Sequence, residues 1–247
     1  MIRVLHSIPT DKLKLLIFDL DGTLVDSELD LAHSINAMLR HYGRPELPVE
    51  VIGSYIGDGA PMLVRRALGD PQDDKYVHDA LFYFMKYYRE HKLDNTYAYQ
   101  GVHGALTAIQ QQANGMKMAV LTNKPIGPSQ GIIEGLGMSK YFVQVYGGNS
   151  FETKKPDPLG ALKLLEETGT RADEAVMIGD SSNDVLTARN AGMWCLGVTY
   201  GFAPETLTKH PPDVLIDQPL ELVTALGLSA EMQGSKGEIP SGEGFVG

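Results

Sequence analysis

Residues Leu15–Phe18 form a short apolar run that ends on Asp19-Leu20-Asp21-Gly22-Thr23. Four consecutive apolar residues bounded by polar ones carry the signature of a buried strand. Two carboxylates one residue apart close it, and Gly22 then lets the chain turn. Carboxylates left unpaired beside a core are costly. This junction therefore restricts the chain to folds that give both acids a partner. A bound divalent cation is one such partner. It would make one carboxylate a plausible nucleophile and the other a proton donor.

Five more β-rich apolar runs follow, at residues 118–121, 143–146, 175–178, 195–198 and Val214–Ile216. Between them, from Gly101 onward, lie helical patterns. Leu159, Leu162 and Leu165 are placed on one face after Pro158, Val185 and Ala188 follow the Asp180 loop, and Leu222, Val223 and Leu226 mark a last helix. Strand and helix in alternation predict an α/β fold, a parallel sheet with helices on both faces. Residues 27–99 break the rhythm with helical stripes and no strand. Leu31, Ile35, Met38 and Tyr42 precede a stop at Gly43. Pro61 opens a helix carrying Leu63, Val64, Ala67 and Leu68, and Val77, Leu81, Phe84 and Tyr88 form a third stripe. The expected organisation is a core of residues 1–26 and 100–228, a helical insert of 27–99, and a flexible tail of 229–247 rich in Gly and Ser.

The 247 residues carry a formal charge of -10. Such an acidic chain is poorly suited to nucleic acid or to anionic membranes, and no run is long and apolar enough to span a bilayer. Residues 1–12 lack the basic-then-apolar order of a secretory signal. Cys195 is the single cysteine, so no disulfide forms within the chain, and a reducing, cytoplasmic setting is expected. A monomer or homodimer is expected.

Four chemistry-bearing clusters follow the apolar runs. They are Asp19 with Asp21, then Thr122-Asn123-Lys124, then Lys154-Lys155-Pro156-Asp157, then Gly179-Asp180-Ser181-Ser182-Asn183-Asp184. Open parallel sheets bind ligands at the carboxyl ends of their strands, where strand order reverses. One crevice gathers all four clusters if the first run lies between the second and the fourth. Taken singly, Thr122 has the plainer reading of a helix N-cap, Lys155 of a solvated lysine, and Asp184 of a capping residue.

With all four in order, the chain closely resembles the haloacid dehalogenase superfamily in its phosphatase branch. Phe18 to Ser27 match the first motif, Thr122 the second, Lys155 before Pro156 the third, and Gly179-Asp180 through Asp184 the fourth. The resemblance covers about residues 12 to 228. It implies a Rossmann-like core with a mobile helical cap at 27–99. The nearest branch resembles the bacterial phosphoglycolate phosphatases, through residues 55–60 and 63–68 and Thr122-Asn123-Lys124-Pro125.

The resemblance implies a phosphomonoester hydrolase acting through an aspartyl-phosphate, most simply turning 2-phosphoglycolate into glycolate and phosphate. Asp19 is then the nucleophile and Asp21 the acid and base. Thr122 and Lys155 grip the phosphoryl oxygens, helped by Asn123 and by Thr23 in the first motif. Magnesium is the expected cofactor, on an Asp19 oxygen, the Asp21 carbonyl and Asp180, since an oxygen-rich site suits it. Asp184 holds a metal-bound water or orients Lys155. Lys124 either touches substrate or lies at the rim, and it is left out of the core assignment.

The expected partner is a small phosphorylated organic acid. Selection is expected in the cap, where Gly57 and Gly59 flank Asp58 and the planar fork of Arg66, or else Arg65, matches a carboxylate. Closure is expected to hinge at residues 24–27 and 95–101. A sugar-phosphate phosphatase or phosphomutase shares the core motifs. A dehalogenase lacks the counterpart of Asp21. A receiver-like or non-catalytic phosphate sensor is the alternative of another class.

Overall fold

In the computed structural model, which describes residues 1–113 and 115–228, strand β1 (Arg3–Val4) leads to β2 (Leu15–Phe18), whose four side chains are all buried. Next come a short strand β3 (Val25–Asp26) and helices α1 (Glu28–His41), α2 (Val49–Gly53), α3 (Ala60–Ala67) and α4 (Asp74–His91), then β4 (Tyr97–Ala98). The chain then alternates through α5 (Val102–Gln112), β5 (Lys117–Leu121), α6 (Ile126–Gly135), β6 (Gln144–Tyr146), α7 (Leu159–Thr168), β7 (Ala175–Gly179), α8 (Ser182–Ala191), β8 (Trp194–Val198), β9 (Val214–Ile216) and α9 (Glu221–Ala225). The tail expected at 229–247 lies outside the described residues.

The main sheet has the order β1-β9-β8-β7-β2-β5-β6. All its neighbours run parallel except β1, which pairs antiparallel with β9. The first apolar run lies between the second and the fourth, which meets the condition for a single crevice, with Phe18 in register with both Val120 and Ile178. Side chains alternate across a strand. Leu16 and Phe18 therefore pack with Val102, Leu106 and Ile132 on one face, while Leu15 and Ile17 pack with Leu164, Val185 and Ala188 on the other. Full burial of each such side chain contributes roughly 1.5–3 kcal/mol. This two-sided anchoring fixes where β2 stops, and so where Asp19 and Asp21 stand.

The helices between β3 and β4 build a separate hydrophobic cluster. Ile35 and Met38 of α1 meet Leu63 and Val64 of α3 and Phe84 and Tyr88 of α4. Asp73 caps α4 by accepting a hydrogen bond from the Tyr76 amide at 3.0 Å, and Pro61 sits in the first turn of α3. Two expectations need correction. The block is not free of strand, because β3 and β4 pair antiparallel, with Val25 opposite Ala98 and Asp26 opposite Tyr97. The two connections between block and sheet thus run side by side at the expected hinges. Buried Asp30 ties one of them down, accepting from the backbone and side chains of Asn95 and Thr96. On α7 the buried face is Ala161, Leu164 and Leu165, while Leu162 is 46% exposed. Two successive steps of three residues drift around a helix of 3.6 residues per turn, so Leu159, Leu162 and Leu165 do not share one face.

Candidate active site

The carboxyl ends of β2, β5 and β7 deliver the site. The Asp19 amide donates to Ile178 O at 2.8 Å, which extends the ladder one residue beyond β2 before the chain turns at Gly22. Gly22 has φ +78°, and a Cβ there would lie 2.2 Å from Asp180 Oδ2. Only glycine admits both that backbone and that approach. Thr122 follows β5 and Asp180 follows β7. The Lys155-Pro156 peptide bond is cis.

Asp19, Asp180 and Asp184 are buried, and each offers a carboxylate oxygen within 4.8 Å of the others. Lys155, only 5% exposed, stands between them. Its Nζ is 2.6 Å from Asp184 Oδ1 and 2.9 Å from Asp19 Oδ1. Burial works against that ammonium, yet Asp184 and then Asp19 outweigh it and hold its pKa above the ordinary value. Burial pushes the Asp19 carboxyl up to about 6, against the pull of Lys155. Burial, then the charges of Asp184 and Asp19, push Asp180 well above the usual carboxylate range. Asp180 Oδ2 accepts from the Phe202 amide at 2.6 Å and the Ala203 amide at 3.3 Å. The Asp19 Oδ1 contact with Lys155 is an ion pair out of hydrogen-bond alignment, and that buried oxygen has no hydrogen-bond partner.

Asp184 contacts Lys155 through one oxygen and caps a helix through the other. Oδ1 meets Lys155, while Oδ2 accepts from the Ser181 amide at 3.1 Å and its hydroxyl at 2.8 Å, capping α8. Thr122 does not cap α6. It lines the cavity, and its Oγ1 accepts from the Lys124 amide at 3.3 Å. Asp21 lines the same cavity. Its Oδ1 accepts from Ser27 Oγ at 2.6 Å, and both its oxygens lie 3.0 Å from Lys124 Nζ.

The cavity encloses about 50 Å³ between the sheet end and the helical block. Asp19, Asp21, Thr122, Asn123, Lys124 and Asp180 form its floor, and Ile56, Leu63, Phe84, Met85 and Tyr88 its apolar roof. The Gly57-Asp58-Gly59 loop closes the seam. Asn123 Nδ2 donates to Gly57 O at 2.9 Å, Asn183 Nδ2 to Asp58 Oδ1 at 3.1 Å, and Lys154 Nζ to Asp58 O. A Cβ on Gly59, at φ +84°, would stand 2.7 Å from Asn123 O.

Residues 16–198 match the haloacid dehalogenase-like hydrolase family. The chain belongs to that family.

This haloacid dehalogenase-like chain is 39% identical over 224 residues to a phosphoglycolate phosphatase of Photobacterium profundum, covering 88% of this chain and 97% of that protein. It is 36% identical over 226 residues to phosphoglycolate phosphatase 1 of Pseudomonas aeruginosa, covering 89% and 82%. A crystal structure of a predicted phosphoglycolate phosphatase from Haemophilus somnus superposes with a TM-score of 0.81 at 31% identity, covering 86% of this chain and 97% of that one.

The family's expected cation fits the residues present. Three buried carboxylates converge, one of them with an oxygen that lacks a hydrogen-bond partner, and hard oxygen donors suit a divalent ion. Other placements depart from expectation. Arg66 does not reach the cavity wall. Its guanidinium pairs with Asp58 and donates to Tyr55 O at 3.1 Å, while Arg65 is held by Pro71 O and Asp74. Asp58 faces Arg66 and Asn183, whose hydrogen bonds outweigh burial and lower its pKa. Thr23 is buried off the cavity wall, with its Oγ1 unpartnered. Lys154 is a seam contact. Lys124 is not at the rim, being buried on Asp21 with its pKa up to about 12, since that carboxylate outweighs burial. Ser27 and the Phe202 and Ala203 amides also went unpredicted. Lys124 and Ser27 stood within quoted motifs, but nothing in local spacing marks the loop after β8.

Proposed function

We propose that this protein is a magnesium-dependent phosphatase of small phosphorylated acids, with 2-phosphoglycolate as substrate. The observation that carries the reading is one buried carboxylate, Asp19, flanked by Lys155 on one side and by a second acid, Asp21, two residues on, beneath an apolar roof.

Asp19 attacks phosphorus and the bond to the ester oxygen breaks. Asp21 gives its proton to the departing alkoxide. Water then attacks the aspartyl-phosphate, Asp21 takes the water's proton, and the bond from Asp19 to phosphorus breaks to release phosphate. Splitting the displacement into two steps eases each. Lys155 and Thr122 hold the phosphoryl oxygens, and Ser27 and Lys124 aim Asp21. Asp19, Asp180 and the Asp21 backbone would hold a magnesium ion, with Asp184 beside them, and the ion would supply charge neutralisation for the phosphoryl group.

The helical block acts as a cap that parts from the sheet at β3 and β4 and excludes water when closed. A monomer or homodimer in the cytoplasm accords with an acidic chain that has a single, buried cysteine. Among the described residues no helix is long and apolar enough to cross a membrane. Phosphate release across a phosphomonoester panel, with magnesium and with chelator, tests the reading. Turnover should need magnesium and favour 2-phosphoglycolate. Metal-independent turnover, or preference for a sugar phosphate, would reject this assignment.

A further inference from the structure

A second polar feature stands in the cavity, on the side facing the helical block. Lys124 Nζ lies 4.7 Å from the centroid of the Tyr88 ring. Both residues line the cavity and both are nearly inaccessible, at 5% and 1% exposure. The Tyr88 hydroxyl has no hydrogen-bond partner. Burial pushes that phenol up to about 12, so it stays a donor at neutral pH. A buried donor left unsatisfied costs about 1–3 kcal/mol.

Among the described residues the buried side-chain atoms without a hydrogen bond are Asp19 Oδ1, which is ion-paired with Lys155, Thr23 Oγ1, Tyr88 OH and Asn123 Oδ1. All but Thr23 belong to residues that line this one cavity. Unsatisfied groups gathered in one place mark where a ligand completes the hydrogen bonding. Around Tyr88 the wall is apolar, built by Leu31, Leu63, Phe84 and Met85. An ammonium and a hydroxyl converging inside such a wall match a small anionic acceptor.

We infer that Lys124 and Tyr88 form the subsite that reads a carboxylate on the substrate, a short linker away from the phosphoryl group over Asp19. The inference rests on the phosphatase reading above and supplies the carboxylate contact that Arg66 does not. Lys124 has three donors, and in the structure two of them go to the oxygens of Asp21. A bound carboxylate shares that ammonium and takes its second hydrogen bond from Tyr88 OH. No side chain of α3 takes part.

The test is binding in an Asp19→Asn background, where no turnover disturbs the measurement. Calorimetry gives Kd for 2-phosphoglycolate and for ethyl phosphate, which keeps the ester and lacks the carboxylate. Adding Tyr88→Phe should weaken 2-phosphoglycolate by about 3–10-fold more than ethyl phosphate, the effect of one neutral hydrogen bond. Adding Lys124→Met should widen that difference to about 10–100-fold, as for a charged one. Tyr88→Phe deletes only an unpartnered hydroxyl and keeps the ring in its cluster, so it decides the matter even if Lys124→Met fails to fold. Equal weakening of both ligands by Tyr88→Phe would overturn the subsite. Failure of the phosphatase reading would show separately, as no release of phosphate from either ester by the unsubstituted protein.

Discussion

The floor and the roof of the cavity solve opposite problems. In and just beneath the floor, Asp19, Asp180, Asp184 and Lys155 crowd into a space nearly closed to water. Bare charges there are tolerable only as a paired network. The roof presents Ile56, Leu63, Phe84 and Met85, and it meets the floor through hydrogen bonds from Asn123, Asn183 and Lys154. Water can replace those bonds at little cost, whereas it cannot cheaply enter the floor. On the proposed function, the charged platform would make and break bonds below while the apolar cover excludes solvent above.

The sharpest way to break this comparison is to remove the reacting atom from the floor. Asp19→Asn should lower kcat on 2-phosphoglycolate by at least about 10⁴-fold, with the circular dichroism spectrum unchanged. Mass spectrometry must confirm that the amide has not reverted. Retained turnover in an intact amide would remove Asp19 as nucleophile.

Next in size is the floor's central cation. Lys155→Met leaves Asp19 and Asp184 facing each other without a counter-charge, and breaking a buried pair in this way costs about 3–5 kcal/mol. Arg66→Met, in the partly exposed Arg66–Asp58 pair of the roof, should cost about 1 kcal/mol or less. Urea unfolding of the two metal-free variants measures both. Similar losses would show that floor and roof do not differ as claimed.

Much of the floor was legible in the sequence, because each of its acids follows an apolar run and buried parallel strands are written as such runs. The placement of β2 between β5 and β7 followed from the need to bring the clusters together. What escaped was set by contacts between distant residues. Lys124 reaches Asp21 from 103 residues away, and no local spacing announces that pair. Arg66 has the right shape for a carboxylate, yet Asp58 eight residues earlier takes it. β1 has two exposed residues and no apolar signature, so only its pairing with β9 defines it. The roof stripes form helical core, as their spacing predicts, and that spacing marks Tyr88 as packing alone, because an unpartnered hydroxyl leaves no local signal.

A third test uses pH. Asp19 is held at about 6 in the fold against an ordinary 3.8. An acid whose folded pKa is raised favours the folded state below its unfolded pKa and loses that contribution as pH rises through the folded one. Metal-free protein should therefore lose stability relative to Asp19→Asn between about pH 4 and pH 6, by up to about 3 kcal/mol, and then level off. Chemical denaturation of both proteins across that range reads the difference. A flat difference would mean that the floor does not strain its acids.

The smallest expected effect lies at the seam. Asn183 Nδ2 donates to Asp58 Oδ1 at 3.1 Å and to Gly57 O at 3.4 Å, joining the α8 loop to the roof. Asn183→Ala removes both bonds while leaving the apolar roof and the charged floor in place. If the seam serves closure, the loss falls on the closed state alone, so KM should rise by about 3–10-fold, the worth of about one hydrogen bond. Global stability should stay within about 0.5 kcal/mol, as for a surface change away from buried features. A structural role predicts the reverse, a lower Tm with KM unmoved. Steady-state kinetics and a melting curve on the same preparation separate the two, because water can satisfy Gly57 and Asp58 when the block is open but not when the cavity is shut.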